Sequence, residues 1–215
     1  MANKPFDFKK EYKNLYLPKD KPVLIEVPPM TFIMVDGSGD PNNNQDYQQS
    51  IELLYALSYA IKMSHKKGKE PSGFFEYVVP PLEGLWWIDE GEFSLTERDN
   101  WLWTSLIRQP DFVTPEVFAW ACDEVKAKKP DLPVEKARLE VFEEGLCVQI
   151  MHIGPYSTEP ETMKKIEAFL VEQDLQDKVP TGEGKHHEIY LSDPRKAKPE
   201  TMKTVLRHPV LRISR

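Results

Sequence analysis

Hydrophobic residues in the first half of the chain follow two spacings, one helical and one extended. Residues 46–66 carry apolar side chains at helical intervals, which predicts an amphipathic helix whose apolar face holds Ile51, Leu54, Tyr55 and Ile61. Strands are predicted where apolar residues alternate or cluster between turn residues, at 23–27, 31–35, 73–79, 85–88 and 100–109. Residues 1–22 show no clean period and are interpreted as an arm that packs by its aromatic residues.

The second half of the chain shows the same two spacings. A helix is predicted over 114–128, and residues 138–142 and 146–153 alternate in a way that predicts a hairpin. Thr158 and Glu161 match a capping box, so another helix is expected to begin there. The last predicted strands cover residues 186–191 and 203–212.

The order of elements suggests that one unit occurs twice in a single α+β domain of residues 1–215. Each half runs from a hairpin through a helix to two further strands, and residues 75–80 align with 187–192. The repeats are predicted at 22–100 and 134–212, with residues 101–133 as an inserted strand and helix. The alternative is a coincidence between two ordinary α+β segments.

Composition narrows the possible partners. The 215 residues carry a formal net charge of -7 with a pI near 5.4, which argues against nucleic-acid binding because nucleic-acid binders usually present a basic surface. Cys122 and Cys147 lie in apolar surroundings and are interpreted as free thiols of a reducing compartment. With no predicted signal peptide or membrane span, the expected location is the cytoplasm, with no membrane partner. Oligomeric state is not predicted.

The sequence holds no strong motif for catalysis, and neither a cofactor nor a metal is predicted. Gly-rich phosphate loops, paired CxxC cysteines and nucleophile elbows are missing from the sequence. His186 and His187 are adjacent on a predicted strand and therefore point to opposite faces, so they are not expected to bind one metal ion.

Aromatic residues in the middle third suggest a ligand pocket. Adjacent Trp86 and Trp87 must face opposite sides of a strand, whereas Trp101 and Trp103 lie two positions apart and share a side. Any one tryptophan is more simply explained by core packing. As a set they favour a pocket, since so many large rings exceed what a small core needs.

Glu188 is the strongest single candidate for a catalytic or ligand-binding residue. It lies in a strand with apolar neighbours and shares a face with His186 and Tyr190. That polar face is either exposed to solvent or the wall of a polar pocket, and the alternation alone leaves both interpretations open.

Five stretches of the sequence resemble GyrI-like small-molecule-binding domains. Residues 146–156, the helix after them and residues 186–194 resemble the domain that also forms the drug-sensing half of some transcription activators. Residues 80–87 and 103–114 look like a stand-alone branch without a DNA-binding domain. The resemblance covers about residues 22–210, and the order of its motifs is more specific than any one motif.

The resemblance implies an architecture and a ligand class. Two strand–helix–strand–strand units related by a pseudo-twofold axis would form a curved antiparallel sheet, with helices on one face and a ligand groove at the junction. In sensor members a buried glutamate meets cationic aromatic drugs, and Glu188 occupies the matching position. The implied ligand is a flat aromatic molecule that contacts Trp86, Trp87, Trp101, Trp103, Tyr156 and Tyr190.

Some stand-alone members hydrolyse cyclopropane-bearing, DNA-alkylating natural products, which implies a bacterial-type role in protection against xenobiotics. Glu188 would then be the general base, and Trp103 and Tyr156 would shape the catalytic site. Two alternatives stay open: a binding or sequestering protein without turnover, and an interaction protein that inhibits gyrase, after the family's namesake.

Overall fold

The computed structural model describes residues 4–89, 91, 93–95, 98–193 and 195–213. The helices in these residues are α1 (Phe8–Glu11), α2 (Lys13–Tyr16), α3 (Gln45–Lys62), α4 (Pro115–Lys128) and α5 (Glu159–Glu172). The strands are β1 (Phe6–Asp7), β2 (Val23–Val27), β3 (Met30–Ser38), β4 (Tyr77–Val78), β5 (Leu82–Trp87), β6 (Leu102–Arg108), β7 (Ala137–Phe142), β8 (Gly145–Ile153), β9 (Leu175–Asp177), β10 (His186–Tyr190) and β11 (Lys203–Arg212). The predicted α+β class is confirmed.

Nine of the described strands form one antiparallel sheet, whose order is symmetric. The order is β2-β8-β11-β10-β5-β6-β3-β7, and β9 pairs with β11 beside this path. Exchanging β2 with β7, β3 with β8, β5 with β10 and β6 with β11 reproduces the same order from the other end. The two halves meet where β5 pairs with β10, with Gly84 opposite Glu188. This symmetry is what two repeats related by a pseudo-twofold axis require.

The predicted hairpin over residues 138–153 is wrong. β7 pairs with β3, whereas β8 pairs with β2 and β11, so the two segments separate after the turn and enter distant parts of the sheet. Alternation of apolar residues identifies a strand and its buried face, but it does not identify the neighbouring strand.

The predicted strand over 73–79 is also largely wrong. Only β4 forms there, and it pairs in parallel with β1 in a separate two-stranded sheet. Phe75 instead packs edge-on against Phe6 and Phe112. The true counterpart of β10 in the first half is β5, which begins at Leu82, between the strands predicted at 73–79 and 85–88. The alignment of 75–80 with 187–192 therefore fails.

The sheet order also bears on the repeat boundaries. β6 occupies in the first half the position that β11 occupies in the second. This favours a first repeat that extends through β6 and an insertion limited to the segment that carries α4. The division into 22–100, 101–133 and 134–212 stays a prediction in its finer detail.

Helices α3 and α5 pack on the same face of the sheet. Residues paired across neighbouring strands share a face, and one such row contains Ile150, Leu206, Glu188, Gly84 and Ser105. The apolar face of α5 packs on this row's side through a buried cluster that contains Ile150 and Leu206. Tyr47 of α3 packs against Trp86 of β5 and Trp103 of β6, and Trp86 lies two positions from Gly84 and so on the same face. Among the described residues, no helical stretch combines the length and hydropathy that a bilayer-crossing segment needs.

The opposite face of the sheet buries an ionic network of Glu83, Glu144, Gln149, His187 and Arg207. Both ring nitrogens of His187 lie 2.9 Å from a carboxylate oxygen, one of Glu83 and one of Glu144. Arg207 donates to Glu144 at 3.0 Å and to Gln149 at 3.1 Å. His187 therefore donates from both nitrogens, and two cations offset two anions in the interior.

The N-terminal arm covers this network, which supports its predicted packing role. The backbone carbonyl of Leu15 accepts a hydrogen bond of 2.7 Å from Arg207, and that of Asn14 accepts one of 2.6 Å from Gln149. Phe8, Leu15 and Tyr16 are buried. The buried charges thus attach the arm to the sheet by directional bonds as well as by apolar contact.

Because of this network, we expect the free energy of unfolding to fall at alkaline pH. Burial lowers the pKa of His187, but the charges of Glu144 and Glu83 outweigh it and raise the pKa to about 9. The stabilisation is therefore complete below the unfolded pKa of about 6.5 and is lost as pH rises through about 9, at a cost of about 3 kcal/mol. Urea unfolding at a series of pH values measures this slope. The His65→Gln variant, altered outside the network, should keep it, and a flat profile would contradict the assignment.

Candidate functional site

An open groove of about 1370 Å³ lies over the helix face of the sheet and extends along α3, from the start of α5 to the C-terminal end of α4. Its volume exceeds that of a typical drug-sized pocket. Both halves of the chain contribute to it, since β5 and β10 supply the floor. Its aromatic and charged lining around the junction is Tyr47, Trp86, Arg98, Trp101, Tyr156, Glu159, Glu188 and Tyr190.

Local sequence places the two helical walls. The Asn44 side chain caps α3 by accepting a hydrogen bond from the backbone N–H of Tyr47 at 3.2 Å, which sets Tyr47 in the first turn. Gly154 has a φ of 139°, a conformation that favours glycine, and ends β8. The chain then turns through Tyr156 and begins α5 at Glu159, so both side chains reach the groove.

The aromatic residues of the groove contact each other. The Trp86 ring centroid lies 5.7 Å from that of Tyr47 and 5.0 Å from that of Trp101. Trp86 also donates a hydrogen bond of 3.2 Å from its indole nitrogen to the Tyr190 hydroxyl. A Cβ at Gly84 would lie 2.8 Å from that indole nitrogen, so the absence of a side chain there makes room for this contact.

The structure brings five of the predicted site residues together. Trp86, Trp101, Tyr156, Glu188 and Tyr190 all line the groove. Of the two interpretations left open for the face of Glu188, the structure favours a polar pocket wall over a solvent-exposed surface, because Glu188 is only 6% exposed and lines the groove.

The predicted positions of Trp87 and Trp103 need correction. Trp87 points away from the groove and has the Lys185 amine 3.6 Å from its ring centroid, as alternation with Trp86 requires. Trp103 is on the helix side of the sheet but is buried behind Tyr47, whose ring centroid is 5.1 Å away edge-on. Neither residue lines the groove, so a direct contact with a ligand is not supported for either.

Glu159 is the functional candidate that sequence reasoning missed. Its side chain is 2% exposed, lines the groove, and has an Oε1 atom without a hydrogen-bond partner among the described residues. Thr158 does not cap α5 with its side chain, and its hydroxyl donates instead to the carbonyl of Pro155 at 2.8 Å. The predicted capping box with Glu161 is therefore wrong. That prediction drew attention away from Glu159, which lies in the first turn of α5 and faces the groove.

The two groove carboxyls occupy different electrostatic environments. Burial, followed by the charge of Glu188, raises the pKa of Glu159 to about 10, despite the opposing effect of Arg98. Glu159 is therefore protonated at neutral pH and can donate a proton. Burial and the same Glu188 charge also raise the pKa of Tyr156 and of Tyr190, so their hydroxyls stay protonated.

A chain of buried polar groups extends from Glu188 away from the groove. His186 Nε2 lies 3.2 Å from Glu188 Oε1, and His186 Nδ1 lies 2.7 Å from His208 Nε2. His208 Nδ1 in turn lies 2.7 Å from Asp177 Oδ2. The chain joins β10, β11 and β9. Sequence reasoning missed His208 and Asp177, because only the pairing of β10 with β11 brings His186 opposite His208.

One group of three potential metal ligands is found in the described part of the chain. Ligand atoms of Glu159, His186 and Glu188 lie within 4.8 Å of one another. However, both ring nitrogens of His186 already have hydrogen-bond partners, in Glu188 and His208. We therefore assign His186 and Glu188 to a hydrogen-bonded network, with Glu159 beside it.

Solved structures of high similarity come from Listeria innocua. An uncharacterised conserved protein of this organism is 52% identical, with a TM-score of 0.91, over 96% of this chain and all of that one. A hydrolase of the same organism is 51% identical, with a TM-score of 0.89, over 97% of this chain and all of that one. The EcmrR C-terminal domain shares the fold at 13% identity, with a TM-score of 0.56, over 90% of this chain and 98% of that one. Curated proteins gave no match.

The family comparison covers nearly the whole chain. Residues 20–211 match the model of the GyrI-like small molecule binding domain. The match includes both halves of the sheet and all the groove residues named above. The chain therefore belongs to the family of GyrI-like small-molecule-binding domains.

Proposed function

We propose that the protein binds a flat aromatic small molecule in the groove and hydrolyses it, with cyclopropane-bearing, DNA-alkylating compounds as the substrate class. One observation carries the proposal: two buried carboxyls, Glu159 and Glu188, meet at the bottom of an aromatic groove, and one of them is held protonated. Environments that push the pKa values of two neighbouring carboxyls apart are typical of acid–base pairs. The description of a Listeria innocua protein at 51% identity as a hydrolase supports catalysis.

The aromatic lining suits the binding step. Trp86, Trp101 and Tyr47 offer ring faces and edges against which a planar polycyclic ligand can pack. Tyr156 and Tyr190, whose ring centroids lie 6.0 Å apart, contribute hydroxyl groups that can donate hydrogen bonds. A ligand enclosed there displaces water from the carboxyl pair, which strengthens their electrostatic effect on it.

The carboxyl pair suits the chemical step. In the proposed reaction Glu188 accepts a proton from a water molecule as the water oxygen bonds to a cyclopropane carbon. The strained C–C bond breaks, and its electron pair moves through the conjugated system to a carbonyl oxygen, to which the Glu159 carboxyl donates its proton. The product contains one added water, and a proton passing from Glu188 to the Glu159 carboxylate restores the starting state.

Ligand binding is expected to quench tryptophan fluorescence through Trp86. Titration of the wild type with planar aromatic compounds should give saturable quenching, and the Trp86→Phe variant should lose much of the quenching and affinity. Trp87→Phe is the matched control, because the adjacent residue faces the other side of the sheet. Equal losses in both variants, or no response to a diverse aromatic panel, would count against the groove as the binding site.

Product analysis separates catalysis from sequestration. Chromatography after incubation with a cyclopropane-bearing alkylator should show a hydrated, ring-opened product well above the spontaneous background. Saturable quenching without that product would instead favour a sequestering protein.

A further inference from the structure

We propose that His186, His208 and Asp177 are positioning residues, which hold Glu188 as the ionised member of the carboxyl pair. The role in turnover rests on the proposed function, whereas the protonation pattern itself can be tested without a substrate. The three residues lie outside the groove lining and reach a ligand only through Glu188.

The geometry is a continuous chain of three hydrogen bonds, of 3.2, 2.7 and 2.7 Å, from Glu188 to Asp177. His186 is fully buried and His208 is 4% exposed, so water does not compete for these bonds. Asp177 is half-buried at the far end. Each of the three contacts joins two groups that need one shared proton between them.

Counting protons defines the charge state of the chain. Three hydrogen bonds require three protons, but two neutral imidazoles supply only two. With both end carboxylates ionised, the third proton makes one imidazole an imidazolium, and the chain has a net charge of -1 by this count. The cation belongs on His208, which has the Asp177 carboxylate as a direct partner, while neutral His186 donates its Nε2–H to Glu188.

The pKa shifts of Asp177 and His186 agree with this assignment. Burial raises the pKa of Asp177, but the hydrogen bond and charge of His208 outweigh it, so that the net pKa lies below the ordinary value. Burial lowers the pKa of His186, and the nearby His208 lowers it further, against the opposing effect of the hydrogen bond that His186 donates to Glu188. His186 is thus the neutral imidazole of the two.

The chain can deliver a proton without losing a hydrogen bond. If His186 passes its Nε2 proton to Glu188, it can take the Nε2 proton of His208 onto its own Nδ1. Glu188 is then protonated, both imidazoles are neutral and Asp177 is still ionised, so the net charge is again -1. The two states differ in whether Glu188 or His208 holds the proton, and the Asp177 carboxylate beside His208 favours the state in which Glu188 is ionised.

Other charged or titratable groups act on the same site from the surrounding elements. Glu159 approaches from α5, Tyr156 from the turn before it and Tyr47 from α3, and Glu188 perturbs all three. Tyr190 lies on the same strand as Glu188. Arg98 acts on Glu159, and His187 lies on the opposite face of β10. None of these groups makes a hydrogen bond to His208 among the described contacts, so a change at Asp177 tests the chain separately.

The Asp177→Asn variant is the most selective change. The Asp177 Oδ1 atom accepts a hydrogen bond of 2.9 Å from the backbone N–H of Val179, and the asparagine carbonyl can keep it. The asparagine amide would face His208 Nδ1 as a donor, so His208 no longer needs a proton there. Glu172→Gln removes an exposed carboxylate near the end of α5 and serves as the control.

Nitrogen NMR of ring-labelled histidines, assigned with His186→Gln and His208→Gln, tests the protonation pattern without substrate. At pH 7 the wild type and Glu172→Gln should show His208 protonated on both nitrogens and His186 on Nε2 alone, and Asp177→Asn should show a neutral His208. A wild-type His208 with a single proton, or a His186 protonated on Nδ1 alone, would overturn the proposal.

The pH profile of kcat/KM on a cyclopropane-bearing alkylator tests the consequence for turnover. Loss of the His208 cation should move the acid limb upward by about one pH unit in Asp177→Asn, with Glu172→Gln unchanged. An unmoved limb together with a neutral His208 would overturn the positioning role. Absence of turnover in the wild type would refute the proposed function instead, and the NMR result would still decide the protonation pattern.

Discussion

The Glu188→Gln variant is expected to lose about 10²- to 10⁴-fold in turnover, the range that a general base contributes. Glutamine keeps the size of the side chain and an oxygen that can accept the 3.2 Å hydrogen bond from His186, but it cannot take a proton from water. Affinity for the ligand should change little, because the aromatic walls are untouched. Single-turnover kinetics with saturating protein separates the chemical step from binding.

The neighbouring carboxyls provide matched comparisons. Glu159→Gln mimics the neutral form of Glu159 without its proton, so it should bind ligand normally and also turn over slowly. Glu161→Gln, two residues further along α5 and exposed, should behave as the wild type. Equal product from Glu188→Gln and the wild type would remove Glu188 from the mechanism.

Replacement of Arg207 by methionine is expected to destabilise the fold by about 3–5 kcal/mol, the usual effect of removing one partner of a buried ion pair. Methionine fills a similar volume but cannot donate to Glu144, to Gln149 or to the carbonyl of Leu15. Burial raises the pKa of Glu144, but His187 and Arg207 outweigh it and hold the pKa at about 2. Without Arg207 that buried carboxylate loses a principal cation, and the N-terminal arm loses a donor.

Arg138→Met is the control for this experiment. Arg138 also bonds to two carboxylates, at 2.7 Å to Asp36 and 2.6 Å to Glu140, but its side chain is 40% exposed. Solvent screening should limit the loss there to less than about 1 kcal/mol. Urea unfolding measures both variants, and a loss in Arg207→Met no greater than that in Arg138→Met would refute a stabilising role for the buried network.

The local part of the fold could be predicted from the sequence because it depends on local spacing. The α3 helix was expected from the apolar spacing of residues 46–66, and β10 from the alternation of 186–191. Alternation also separated Trp86 from Trp87 and placed Glu188 with His186 and Tyr190. Each of these inferences needs only the direction of a side chain relative to its own element.

The partners of the strands could not be predicted by such means. Residues 138–153 carry the alternation of a hairpin, yet β7 pairs with β3, and β8 pairs with β2 and β11. For the same reason, the contact between His186 and His208 could not be predicted. His208 is 22 residues from His186, and only sheet pairing brings them within 2.7 Å.

Glu159 was missed for a different reason. A glutamate in the first turn of a helix is usually explained by the helix dipole and by capping, both of which concern the backbone. The burial of Glu159 depends on how α5 sits over β10, and its raised pKa depends on a second carboxylate in another element. Neither the burial of Glu159 nor its raised pKa can be predicted from the sequence pattern.

Turnover of a cyclopropane-bearing alkylator in ¹⁸O-labelled water tests the central claim most directly. The account predicts that the wild type forms a ring-opened product with one labelled oxygen, and that a Glu159→Gln, Glu188→Gln double variant binds the compound without accelerating this reaction. A wild type that binds the compound in the groove but gives no labelled product above the spontaneous rate would contradict it.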